Sequence, residues 1–358
     1  MNIAIIGCGN IAQTHAAELH GLGHQIVAAI NATPQKAERF AAQWGASYAG
    51  SDIARALADD IDVVHICTPP TLHDEMVRIV IEAGKHVICE KPLCLDPAQA
   101  RDLWQRAQTK GVVAAVNFNV RYHEACQRAR AAIRAEDFGR ICLIHGGYLQ
   151  EFHVLPAQYM WRYIPELAGP MRATTEIGSH WIDLCRYWTG LEIEAVSANY
   201  GKFSPVRYRK DGMMYAEPQA GAEEMEVDTD DAAVVSLRFS NGAIGDLLLS
   251  EVSHGRSNSV RMEVTGTKKT VWWDSEQPYQ LHTAAKFSGV TTVTNAFGGG
   301  FPNTFGAFFR EVYAEIEAGH PSQTPAYPTF YDGYRNAAVC KAIYESAAHN
   351  SQWTEVLK

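Results

Sequence analysis

No stretch of the chain approaches the roughly 20 consecutive apolar residues that a membrane-crossing helix needs, so a membrane is not an expected partner. A targeting leader is not expected either. The apolar run Ile3 to Ile6 begins almost at the first residue, with no basic region or cleavage site ahead of it. Positive charge is in deficit: Lys and Arg number 31 against 40 Asp and Glu, a net charge of −9. That argues against nucleic acid as a main partner, because phosphate binding needs a basic face. The 8 cysteines lack paired metal-ligand spacing. Cys67, Cys89 and Cys142 fall in strand-like runs, where cysteine acts as a small hydrophobe. The expectation is reduced thiols in a cytoplasmic protein that uses no metal. Internal repeats and low-complexity linkers are missing too. Residues 203–231 form the least regular stretch. Its acids Glu223, Glu224, Glu226, Asp228, Asp230 and Asp231 do not follow calcium-loop spacing and read as a solvated loop. What is present is a chain of 358 residues, about two domains long, with enough hydrophobic residues for a sizeable core.

The first third alternates strand and helix. Asn2 to Ile6 reads as a strand and runs straight into Gly7-Cys8-Gly9-Asn10-Ile11-Ala12. This is a G-x-G-x-x-G/A fingerprint: Gly7 permits the tight turn, Gly9 admits a pyrophosphate, and Ala12 allows close helix–strand packing. A helix from about Ile11 to Leu22 would aim its N-terminus at the phosphates. A second strand, Gln25 to Ile30, ends at Asn31-Ala32-Thr33. An acid there would hold the ribose of NAD and an Arg would suggest NADP. Asn31 is neither, and Thr33 with Lys36 or Arg39 could hold a 2′-phosphate, so the choice between NAD and NADP stays open. The strand Asp62 to Cys67 exits through Thr68-Pro69-Pro70-Thr71-Leu72-His73, and Val112 to Val116 exits through Asn117-Phe118-Asn119-Val120-Arg121-Tyr122. Polar residues thus collect at strand carboxyl ends, where a doubly wound parallel sheet binds its ligand.

Between these lies Lys85 to Cys89, a short apolar strand that ends in Glu90-Lys91-Pro92. A lysine beside a glutamate and ahead of a proline is an unusual strand exit. Its position places Lys91 beside the nicotinamide of a bound dinucleotide.

Beyond Tyr122 the pattern changes. Ile141 to Leu149, Val196 to Tyr200, Ala232 to Phe239, Ala243 to Ser250, Arg261 to Thr265 and Thr270 to Trp273 read as strands. Asn241-Gly242 is a hairpin turn between two of them. This predicts a large, mostly antiparallel open sheet in an α+β domain, with the domain boundary near residue 121. The expected division is a Rossmann domain over 1–121 and a substrate-binding α+β domain over 122–358. Read as helix, Glu176, His180, Asp183 and Tyr187 form a polar stripe beside the apolar stripe Ile177, Trp181, Leu184 and Trp188. A histidine there suits proton transfer near neutrality, with a carboxylate one turn away to orient it. Upstream, Trp161 and Arg162 offer an aromatic face and a guanidinium, suitable for gripping a polyhydroxylated ring. Phe305, Phe309, Val312 and Ile316 make a helical core stripe.

In order and kind, the glycine turn, Thr-Pro-Pro-x-x-His, Glu90-Lys91-Pro92 and Asn119-x-Arg121-Tyr122 resemble the glucose–fructose oxidoreductase / inositol dehydrogenase family. The likeness extends over nearly the whole chain, and Glu90-Lys91-Pro92 is its most specific piece. The resemblance implies an NAD(P)-dependent dehydrogenase acting on a sugar, cyclitol or related polyol. It implies that Lys91 contacts substrate and nicotinamide, and that His180 takes the hydroxyl proton with Glu176 assisting. One departure is Glu176, where the family usually has Asp; the extra methylene shifts the carboxylate. Asn119, Arg121, Trp161, Arg162 and Asp183 are the expected substrate contacts. The expected cofactor contacts are Gly7, Cys8, Gly9, Asn10 and Ile11 in the turn, then Asn31, Ala32 and Thr33. Thr68, Pro69, His73, Glu90, Lys91 and Asn119 complete them. The family often pairs through the open face of its C-terminal sheet, which implies a homodimer or homotetramer. Two other activities fit the scaffold: an NAD-dependent redox-assisted glycoside hydrolase and a non-catalytic dinucleotide sensor.

Overall fold

The structure, a computed structural model, describes residues 1–295, 301–319 and 321–357. The chain opens with β1 (Asn2–Ile6), α1 (Asn10–Gly21), β2 (Gln25–Ile30), α2 (Pro34–Trp44), β3 (Tyr48–Gly50), β4 (Val63–Ile66), α3 (His73–Glu82), β5 (His86–Cys89), α4 (Pro97–Lys110) and β6 (Ala114–Val116). These strands make one parallel sheet in the order β3-β2-β1-β4-β5-β6. Their near-continuous apolar runs follow from helices on both faces. Local chemistry sets the helix ends. Pro34 opens α2 and Gly45 closes it at φ 75°; the Asp96 carboxylate caps α4 by accepting from Ala98 N at 2.8 Å. Strand β2 has the bounds expected from the sequence. β3 cannot be read there, because three residues are too few to show a period.

The chain continues through α5 (Glu124–Ile133), β7 (Ile141–Leu149), β8 (Ala157–Gln158), α6 (Pro165–Ala168), a π-helical turn (Thr174–Gly178), α7 (Ser179–Thr189), β9 (Ile193–Gly201), β10 (Val206–Lys210), β11 (Met213–Tyr215), β12 (Glu223–Glu226), β13 (Ala232–Phe239), β14 (Ile244–Ser250), β15 (Ser259–Gly266), β16 (Lys269–Asp274), β17 (Gln280–Ala285) and β18 (Val290–Thr294). Helices α8 (Phe301–Glu317) and α9 (Phe330–Ala348) and the short β19 (Thr354–Glu355) finish it. Nine strands form a sheet in the order β18-β17-β16-β15-β7-β14-β13-β9-β19. It is antiparallel except where β14 runs parallel to β7. The Asn241-Gly242 turn joins β13 to β14, with Gly242 at φ 83°. Strand β13 alternates: Ala233, Val235, Leu237 and Phe239 are buried and Val234 is exposed. Residues 203–231 are more regular than expected. Strands β10, β11 and β12 join β8 in a separate four-stranded sheet.

The chain divides into two compact units, residues 1–122 with 299–337, and 123–298 with 338–358. A single cut near residue 121 does not describe this. The buried stripe Phe305, Phe309, Val312 and Ile316 of α8 belongs to the core built on Ile3, Ile5, Ala16 and Val63, and that burial draws α8 into the first unit. The segment before α9 follows it: Val116 N donates to Pro328 O at 3.0 Å, covering the β6 edge. Seven of the 8 cysteines are buried, all 8 are free, and Cys142 is half-buried. Among the described residues no helix is long and apolar enough to cross a membrane. Phe309 is fully buried, so Phe309→Ala should cost about 3–5 kcal/mol. A drop in the urea midpoint of the first unit's transition would register it; an unchanged midpoint would contradict this packing.

Candidate active site

In the first unit the strand order reverses between β1 and β4, and the glycine turn lies at that point, as ligand sites of this sheet type do. Gly7 sits at φ 96°, and a Cβ there would stand 2.6 Å from the Cys67 carbonyl, so only glycine fits. Beside Gly9 a Cβ would meet nothing within 4 Å. Helix α1 starts there with no side-chain cap and no acid in its first turn, so its N–H groups are left for an anion. Thr68 Oγ1, at the exit of β4, and Asn117 Oδ1, at the exit of β6, are buried without a hydrogen-bond partner among the described atoms. Open space at the turn, an uncapped helix start and unspent polar atoms at strand ends all suit a dinucleotide. Asn31 turns inward: its Oδ1 accepts from Cys8 N at 3.0 Å and its Nδ2 donates to Thr33 O at 3.2 Å. Ala32 and Thr33 are exposed. Burial pushes the Cys8 thiol up to about 11, against a weaker pull from the Ile30 carbonyl.

Lys91 leaves β5 between two anchors. On one side the buried Glu90 carboxylate takes His15 Nε2 at 2.8 Å and Asn117 Nδ2 at 2.6 Å. On the other, His73 sets Nδ1 2.8 Å from Pro92 O and Nε2 2.9 Å from Thr68 O, tying the β4 and β5 exits together. Burial lowers the His73 pKa, although the carbonyls of Pro92 and Thr68 oppose it. Further along, Asn119 Nδ2 donates to Thr304 Oγ1 at 2.9 Å, and Arg121 pairs with Asp332 at 3.2 Å. These two expected substrate contacts are bound into the first unit through α8 and α9.

In the second unit Glu176 lies in the π-helical turn, and α7 follows with His180 and Asp183. Single-turn π distortions recur at functional sites. Every residue of α7 is buried, so the polar stripe is not a solvated edge. His180 lies with its ring 6.2 Å from that of Tyr148. The Glu176 carboxylate stands 2.7 Å from Arg162 Nε, and the Arg162 guanidinium lies over the rings of Phe152 and Trp161 at 5.4 and 5.3 Å. Glu176, Arg162 and Trp161 are therefore brought together.

The π-helical turn is held by a buried charge network. Arg172, 0% exposed, donates Nε to Glu251 at 2.8 Å and pairs with Asp231, which also meets Arg207 at 3.2 Å. Asp230 accepts from Arg172 N at 2.5 Å, Thr174 N at 2.8 Å and Thr174 Oγ1 at 2.7 Å. Asp230 and Asp231 thus depart from the expected solvated loop: two arginines and a helix start draw them inward, while Glu223, Glu226 and Asp228 stay exposed. Burial and the neighbouring Glu176 charge push the Glu251 carboxyl above the usual range against the pull of Arg172. His153, Glu176 and Glu251 bring one ligand-type atom each within 4.8 Å of one another. Arg162 and Arg172 already neutralise both carboxylates, so the cluster is an ion-pair network.

Sequence reading missed His15, His65, Asn117, Arg172, Glu251 and Tyr313. His15 falls on the inner face of α1 and gave a signal, a histidine at an apolar helical position; the others converge only through the fold.

A glycine turn at the switch point, an anchored lysine at the next strand exit and a buried histidine helix define a dinucleotide-binding Rossmann oxidoreductase with a second α/β unit. The known proteins agree. Residues 1–118 match the model of the oxidoreductase family with NAD-binding Rossmann fold, and residues 126–272 match that of the GFO/IDH/MocA C-terminal domain. The chain belongs to the GFO/IDH/MocA oxidoreductase family. It is 30% identical to levoglucosan dehydrogenase of Pseudarthrobacter phenanthrenivorans over 391 aligned positions, 99% of this chain and 98% of that one. It is 28% identical to myo-inositol 2-dehydrogenase of Thermotoga maritima over 77% of this chain and 75% of that one. The fold superposes on levoglucosan dehydrogenase in complex with NADH and L-sorbose with a TM-score of 0.88 and 29% identity, over 100% of this chain and 99% of that one.

Replacing Arg172 by Met would strand buried carboxylates of Glu251 and Asp231, a loss of about 3–5 kcal/mol. Thermal denaturation at neutral pH should show a markedly lower melting temperature. A wild-type value would mean that the network contributes nothing to the second unit.

Proposed function

We propose that this chain oxidises a secondary hydroxyl of a sugar, cyclitol or related polyol with NAD(P). The observation that carries the reading is Lys91, which follows the anchored Glu90 at the β5 exit of the sheet that carries the glycine turn, in a chain that matches a sugar dehydrogenase along nearly its full length. The bound cofactor supplies the hydride acceptor. Lys91 donates to the carbinol oxygen and stabilises the negative charge that develops there. His180 accepts the hydroxyl proton. Glu176, held by Arg162 in the turn that leads into α7, assists His180 from one helical turn away. Arg162 and Trp161 contribute a guanidinium and an aromatic face to ring recognition. Asn31 is uncharged and brings no repulsion to a ribose 2′-phosphate, so both NAD and NADP belong in the first screen.

The test combines binding and turnover. NAD or NADP should raise the melting temperature by mass action. Lys91→Ala and His180→Ala should each lower kcat on the responsive polyol by about 10²–10⁴-fold and leave the cofactor dissociation constant within a few-fold of wild type. Near-normal turnover in either variant removes that residue from the mechanism. Glycoside cleavage without net NADH formation would replace dehydrogenation by redox-assisted hydrolysis.

For assembly, we propose that the nine-stranded sheet pairs with a second copy. Leu143, Val234, Ile244 and Leu248 are exposed on adjacent strands, with Val234 opposite Leu248 and Ile244 opposite Leu143. Large apolar residues exposed in two cross-strand pairs on one sheet face suit an interface. Light scattering should report a dimer or tetramer, and Val234→Glu with Leu248→Glu should shift it to monomer; a monomeric wild type would rule the interface out.

A further inference from the structure

A connected polar chain runs through the core of the first unit behind Lys91. Tyr313 Oη lies 2.8 Å from His65 Nε2, His65 Nδ1 lies 2.8 Å from His15 Nδ1, and His15 Nε2 lies 2.8 Å from Glu90 Oε1. Both histidines are 0% exposed. Phe309 meets the two rings edge-on, at 5.0 Å from His15 and 5.1 Å from His65. Polar atoms so enclosed need complementary partners, and that requirement fixes where the protons sit.

The count starts at Glu90. Burial alone would raise its pKa, but the hydrogen bonds from His15 and Asn117, together with the Lys91 charge, outweigh it and hold the group below its usual value. An ionised carboxylate only accepts, so His15 Nε2 carries a proton. The two facing Nδ1 atoms share one proton between them. Cys67 Sγ lies 3.6 Å from the same His15 Nδ1, and burial raises that thiol far above its ordinary value, so it keeps its proton. Two donors, the thiol and His65 Nδ1–H, therefore point at His15 Nδ1 and make it the acceptor. His65 Nε2 is left with a lone pair and accepts from the Tyr313 hydroxyl, which burial keeps protonated. Burial also depresses His65 well below its ordinary value.

We propose that Tyr313, His65 and His15 form one hydrogen-bond chain directed at Glu90, which makes His15 and His65 positioning residues for Lys91. The inference rests on the reading of Lys91 given above. Glu90 Oε2 accepts from the Lys91 backbone N–H at 3.3 Å, and its charge attracts the Lys91 ammonium. With Oε1 held by His15 and Asn117 and Oε2 facing Lys91, the carboxylate cannot swing away from the strand exit. His65 and Tyr313 act one step further back by keeping His15 in the tautomer that donates to Glu90. The other charged or titratable groups that face the chain are His24, stacked on Tyr313 at 4.1 Å, Asp62 near Tyr313, and Cys67.

The direct test is NMR on ligand-free protein labelled with ¹⁵N-histidine. At neutral pH His15 should show a protonated Nε2 and a bare Nδ1, and His65 the reverse. A doubly protonated His15, or the opposite tautomers, overturns the direction of the chain. Kinetics then test positioning. Glu90→Gln keeps the shape and removes the charge, so the alkaline limb of the kcat–pH profile should move to lower pH as the ammonium loses its anion. His15→Leu should lower kcat by about a hundredfold with the NAD(P) dissociation constant little changed. His15→Gln, whose amide still donates to Glu90, should restore much of that loss. An unmoved limb, or equal losses in the Leu and Gln variants, overturns the positioning role. If Lys91→Ala retains turnover, the reading of Lys91 fails instead, and the NMR result still decides the chain. Should His15→Leu not fold, the tautomers and Glu90→Gln remain decisive.

Discussion

One buried carboxylate governs the first unit. Glu90 stands at the exit of β5 with a histidine and an asparagine on one oxygen and the lysine backbone on the other. An anion in an apolar core is costly unless it is paired and hydrogen-bonded, so the sheet has to deliver its partners to that spot. His15 comes from α1, His65 from β4, Asn117 from the end of β6 and Tyr313 from α8. Four separate elements are therefore registered against one another by a single charge. The same arrangement sets a buried anion one residue before Lys91, at the strand exit itself.

The second unit solves a related problem with opposite signs. Here Arg172 is the fully enclosed ion, and Glu251, Asp230 and Asp231 gather around it and the backbone that follows it. The result is a rigid start for the π-helical turn, from which Glu176 and then His180 project. Energetically such networks add little compared with an apolar core, but breaking one partner is expensive. What they supply is a defined backbone path where a regular helix would place the side chains differently.

Legibility in the sequence followed the range of the interaction. The fingerprint turn, the strand exit at Lys91 and the Asn241-Gly242 hairpin are local, and each needs only a handful of neighbouring residues to announce itself. Strand β2 could be bounded to the residue because its apolar run ends at Asn31. The convergent polar residues could not be read this way. Arg172 and Glu251 are 79 positions apart, and His65 and Tyr313 are 248 apart; no spacing rule links them. Asp230 and Asp231 misled for a physical reason. Charge in a run of acids ordinarily means solvent, and only the presence of Arg172 and Arg207 across the sheet reverses that. Helix α8 was recognised as a packed helix, but not as part of the first unit, since a stripe of phenylalanines says that a helix is buried and not against what.

The placement of α8 bears on how the molecule is made. Its phenylalanines complete the core of a sheet whose strands end nearly two hundred residues earlier. During synthesis that sheet emerges first, with the face meant for α8 bare, and it stays so while the ribosome produces the entire intervening unit. Closing a core across such a separation is slow and leaves apolar surface open to wrong partners. The first unit of this chain therefore cannot mature as it is born: its completion waits until α8 has been made.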